Sequence, residues 1–99
     1  MDTIDQEFKN KGFFNQGKYI YRAKDALEVI ARCRMLGKAV TGIDTFVISA
    51  KDPHPLPAGS YDLSSENIID PRDRGNWNAA ASYIRGKLNS GCFFGVSRK

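Results

Sequence analysis

The chain has one histidine, one tryptophan and two cysteines among 99 residues, and no apolar run approaches the roughly 20 residues that a membrane-crossing helix needs. Each scarcity removes a class of function. With His54 the only imidazole and Cys33 and Cys92 far apart in sequence, no ligand spacing for a metal exists, and no cofactor is expected. A Cys or Ser nucleophile would have to take His54 as its base, and nothing else in the sequence supports that arrangement, so the chain does not read as an enzyme. Asp70 and Asp73 stand beside Arg72 and Arg74, surroundings that keep carboxylates ionised rather than poised to donate a proton. Gly37 and Gly42 follow a helical pattern rather than a strand, and no phosphate loop ending in GKS or GKT is present, so there is no nucleotide signature. The opening MDTIDQEFKN is too polar and acidic for a signal peptide; a cytoplasmic location is expected, with both cysteines reduced rather than joined.

What is present is ordinary globular composition: 41% hydrophobic and 26% charged residues, enough for one domain over 1–99 with one economical core. Lys and Arg outnumber Asp and Glu by 15 to 11, a net charge of +4 scattered along the chain rather than gathered into a stripe. Such a balance can attract nucleic acid, an anionic membrane or an acidic protein, but charges scattered in this way read first as a solvated mixed surface.

The best-defined stretch is 25–49. Ala23, Ala26, Leu27, Ile30, Cys33 and Leu36 fall on one helical stripe, Asp25 and Glu28 have capping-box spacing, and Gly37 offers an exit. Gly42 then leads into a strand over 43–49 carrying Phe46, Val47 and Ile48. Before it, 2–9 reads as a short helix with Ile4 and Phe8 facing inward. Phe13 and Phe14 read as a packing anchor ahead of a turn, and KYIYR (18–22) as an edge strand or a helix entrance. After it, Pro53, Pro55 and Pro57 make 50–60 an exposed extended loop that cannot join a central sheet. Residues 61–63 and 67–69 read as short extended pieces and 70–75 as a charged turn. Asn76 reads as the N-cap of a helix reaching about residue 89, with Trp77, Ala80, Ala81, Ile84 and Leu88 on its stripe. CFFGV (92–96) reads as a buried last strand. The fold class is therefore α+β: a single small domain with a mainly antiparallel sheet of three to four strands and two to three helices packed on it. The alternative is a ferredoxin-like βαββαβ order.

Without a reaction centre, the polar and aromatic residues between 51 and 77 are the candidates for contacting a protein partner: Asp52, His54, Tyr61, Asp62, Glu66, Asp70, Arg72, Asp73 and Arg74. The segments ALEVIARCRMLGKAVTGIDTFVIS and NWNAAASYIRG, taken together over 26–84, resemble small immunity proteins encoded beside bacterial polymorphic or contact-dependent growth inhibition toxins. That resemblance implies a cytosolic protein that neutralises its cognate toxin domain by covering the active site or a substrate surface. Because the chain is basic, it also implies either an acidic toxin surface or a local acidic patch such as Asp44, Asp52, Asp62, Glu66, Asp70 and Asp73. The runner-up is a nucleic-acid-binding or regulatory domain. GCFFGVSR (91–98) has a passing likeness to the aromatic motif of RNA-recognition sheets, and Tyr19, Tyr21, Phe93 or Phe94 would be its stacking residues.

Overall fold

The computed structural model describes residues 3–15, 17–48, 51, 55–63 and 74–98. In chain order these form α1 (Thr3–Phe8), β1 (Phe13–Asn15), β2 (Lys18–Arg22), α2 (Ala23–Met35), β3 (Val40–Val47), β4 (Leu56–Asp62), α3 (Arg74–Arg85) and β5 (Phe93–Arg98). The strands make one five-stranded antiparallel sheet in the order β1-β2-β5-β3-β4, an α+β domain of the expected class. The fifth strand is β1, where Phe13 and Phe14 pair with Ile20 and Tyr19 instead of anchoring a core, and both remain exposed. KYIYR lies inside the sheet, between β1 and β5, because Ile20 and Tyr21 are apolar enough to be buried from opposite sides.

From β2 to β5 the element order is βαββαβ, and each helix links two parallel strands that have a third between them. The intervening strand for α2 is β5, whereas in a ferredoxin-like sheet it is the return strand of the hairpin. The ferredoxin-like alternative thus holds in element order and fails in strand order. The proline-bearing stretch does keep to the outside, as proline requires, but it pairs: β4 is an edge strand, and Pro57 sits beside the register shift between Thr45 and Phe46.

Packing explains the ends of α2. The helix starts at Ala23, directly after β2, so Asp25 lies inside its first turn and the supposed capping box does not form. Its exit is a Schellman turn, with Gly37 at φ +67° and the amides of Gly37 and Lys38 donating to the carbonyls of Arg34 and Cys33. Ala23, Ala26, Val29, Ile30 and Cys33 are buried, while Leu36, past the last turn, is exposed. α3 ends at Arg85, so Leu88 falls in the following turns and is exposed as well.

The main core lies between the sheet and the helices and includes Ile4, Phe8, Tyr21, Val29, Val40, Ile43, Trp77, Ile84, Phe94 and Val96. Asn76, expected as a cap, is fully buried within the first turn of α3. Its Nδ2 donates to the Val40 carbonyl at 2.8 Å, and its Oδ1 accepts from the Val40 amide at 2.9 Å. The amide group stands in for a neighbouring strand where the β3–β5 register shifts between Val40 and Gly42. Trp77 Nε1 donates to the Lys38 carbonyl at 3.0 Å, which fixes the start of α3 beside the end of α2. Cys33 is buried and Cys92 half-buried. Among the described residues, no helix is long and apolar enough to cross a membrane.

Candidate functional site

Two arrangements merit comparison as sites. The first is a half-buried charge cluster. Asp5 Oδ1 accepts from Arg98 Nη2 at 2.9 Å and from the Tyr21 hydroxyl at 3.2 Å, next to a hollow of about 210 Å³ lined also by Lys18, Tyr19 and Ser97. Burial, with the Asp5 carboxylate beside it, pushes the Tyr21 hydroxyl well above the ordinary tyrosine range. Tyr21 therefore stays neutral as a donor. The cluster ties α1 to the end of β5. Among the described residues, no three His, Cys, Asp or Glu side chains converge as metal ligands.

The second arrangement is the sheet face turned away from the helices. Residues paired across antiparallel strands share a face, and residues two apart along a strand share it too. Thr45 bonds the Tyr83 hydroxyl of α3 at 2.9 Å, and Tyr21 and Phe94, paired with each other, lie in the main core, so that parity faces the helices. The other parity forms three rows. Arg22, Phe93, Phe46 and Pro57 make one; Phe13, Ile20, Gly95, Asp44 and Ser60 the next; Lys18, Ser97, Gly42 and Asp62 the third. No described helix covers them.

This face is apolar in the middle and charged at both sides. Arg22 lies over the Phe93 ring, 5.5 Å from its centroid, and Lys18 donates to Ser97 Oγ at 3.2 Å, so β2 supplies the cations. Asp44 and Asp62 supply carboxylates toward the β4 edge, around a shallow hollow between Gly42 and Ser60. At the centre, Ile20 and Phe46 flank Gly95, where a Cβ would meet them in ordinary contact at 3.5 and 3.7 Å. Ile20 is 1% exposed yet stands apart from the main core, whereas Phe13 is 41% exposed and Phe46 and Phe93 are half-buried. The result is a small aromatic platform with a preset shape.

Of the residues expected to contact a partner, Asp62 lies on this platform's acidic side and is exposed. Tyr61 turns the other way and is half-buried, its ring 5.2 Å from that of Tyr83. Arg74 opens α3. Asp52, His54, Glu66, Asp70, Arg72 and Asp73 lie outside the described residues. The stacking residues expected of a nucleic-acid binder do not come together: Tyr21 and Phe94 are buried in the core and Tyr19 is half-buried against Phe14 and Tyr21, leaving Phe93 alone on the open face. Sequence reasoning missed Phe13, Phe46, Arg22 and Lys18 as a group. The available signal was the shared parity of Phe46 in β3 and Phe93 in β5, usable only once the covered face was known.

The chain matches no protein-family model, no curated protein and no solved structure.

Proposed function

We propose that this chain is a non-enzymatic binding protein of the immunity type, acting in the cytoplasm, which neutralises a toxin domain by seating the uncovered face of its sheet on it. The observation that supports this most is the row Arg22–Phe93–Phe46, aromatic anchors on a rigid strand platform with cations on one side and Asp44 and Asp62 on the other. Aromatic side chains at the centre of a contact supply most of its energy, and a preformed sheet loses little entropy on binding. Charges of both signs select a partner and fix its orientation. Asp62 is the described member of the candidate set that lies on this face.

A nucleic acid would suit the Arg22–Phe93 pair, since a cation over a ring resembles a base-stacking platform. Asp44 and Asp62 on the same face oppose phosphate, which favours a protein partner. The test is coexpression with the toxin domain encoded by an adjacent reading frame. The wild-type chain is expected to restore growth and copurify with the toxin, and Phe46→Ala with Phe93→Ala to lose at least about a hundredfold in affinity, the cost of two central anchors. Failure of the wild type to protect would overturn the reading. Undiminished protection by the double variant would remove this face from it, and a charge-reversal scan at Asp70, Arg72, Asp73 and Arg74 would then locate the contact.

A further inference from the structure

The helix layer has an outer surface of its own, on the opposite side of the molecule from the open sheet face. α2 and α3 run antiparallel, since each returns from one strand to a parallel one and the two strand pairs point in opposite directions. Between them runs a trough of about 510 Å³, whose floor is Leu27, Ile30, Ala31, Trp77 and Ala81. Alanines at 31 and 81 leave the trough open where longer side chains would fill it.

Among the described residues its charge is of one sign: Arg34 and Arg85 line it and no carboxylate does. On α2, Arg32 pairs with Glu7 at 2.9 Å and Glu28 with Lys11 at 3.2 Å, while Lys24 has no ion pair among the described residues. Arg34 and Arg85 make no side-chain hydrogen bond or ion pair among the described residues. Their placement is also regular. Trp77 is fixed beside the end of α2 through Lys38, so Arg85, eight residues on, lies toward the start of α2, while Arg34 lies near its end. The two arginines therefore stand at different levels along the trough.

We propose that this trough is a docking site for an acidic amphipathic helix of a protein partner, its apolar stripe on Ala31 and Ala81 and its carboxylates, seven residues apart, on Arg34 and Arg85. The walls are helices whose backbone groups are already bonded within themselves, so an extended guest would bury unpaired amides and carbonyls there. A helix brings its backbone already satisfied. Carboxylates seven residues apart lie on one face of a helix, about two turns from each other. The net charge of +4 assists the encounter. The site is independent of the open sheet face and stands whether or not that face binds a toxin.

The probe is a fluorescein-labelled peptide of about 18 residues, leucine on one stripe and glutamate at two positions seven apart, titrated with the full chain by anisotropy. Saturable binding is expected, weakened at least about tenfold by Arg34→Glu with Arg85→Glu and recovered when the peptide carries lysine at the two glutamate positions. Backbone amide shifts are expected at Leu27, Ala31 and Ala81 and not at Phe46 or Phe93. Absence of saturable binding, equal binding by the reversed variant, or shifts confined to the sheet face would overturn the proposal. Self-association of the wild-type chain that the reversed variant abolishes would also overturn it, since the occupant would then be a second copy.

Discussion

At the scale of single residues, Asn76 and Tyr21 carry more than their size suggests. Asn76 satisfies both backbone groups of Val40 from inside a helix, in a place no water reaches. Asn76→Ala leaves that amide and carbonyl buried without a partner, at about 1–3 kcal/mol each, so a loss of roughly 3 kcal/mol is expected in urea unfolding. Asn76→Asp should cost at least as much, because a carboxylate would face the Val40 carbonyl. Tyr21 links stability to pH. Its hydroxyl is raised above the ordinary value by burial and by Asp5, so the unfolded chain ionises first, near pH 10. A raised folded value means its contribution is complete below pH 10 and declines as pH rises above it. Tyr21→Phe is therefore expected to lower the urea midpoint at pH 8, through the lost bond to Asp5, and to flatten the decline between pH 10 and 11.5.

At the scale of elements, the ends of α2 show which signals decide. The Schellman turn holds because Gly37 takes a positive φ, and Gly37→Ala is expected to cost about 1 kcal/mol in thermal or urea unfolding with no change in binding by either surface. Asp25→Ala should cost much less than a true cap would, since no capping bond forms at the start of α2. α2 and β3 were legible in the sequence because each has enough residues for its period to show and, for α2, a glycine exit. β1 was not: two adjacent phenylalanines before a turn have no alternation, and only pairing with Tyr19 and Ile20 makes them a strand. β4 was hidden by its prolines, which bar the centre of a sheet and permit an edge. Asn76 looked like a cap because caps and buried backbone mimics use the same amide chemistry, and the difference lies in what α3 packs against. The open face was illegible for a similar reason, as parity along β3 and β5 is readable but the covered side depends on where two crossover helices land.

At the scale of the whole molecule, the last strand in the chain is the middle of the sheet. β5 pairs with β2 on one side and β3 on the other, and without it the two halves of the sheet have no bond to each other. It also brings Phe94 and Val96 into the core and Arg98 to Asp5. Burying the two apolar side chains contributes roughly 1.5–3 kcal/mol each, against a total of about 5–15 kcal/mol for a domain of this kind, and the backbone bonds of two strands are lost with them. A chain ending at Cys92 is therefore expected to show no cooperative thermal transition by circular dichroism. The edge predicts the opposite: Leu56→Ser in β4, at a side chain 52% exposed, should leave the midpoint within about 0.5 kcal/mol of wild type. If the truncated chain melts sigmoidally while Leu56→Ser is severely destabilised, the sheet is held together from its β4 edge rather than its centre. The strand order would then have to be revised before either binding surface could be kept.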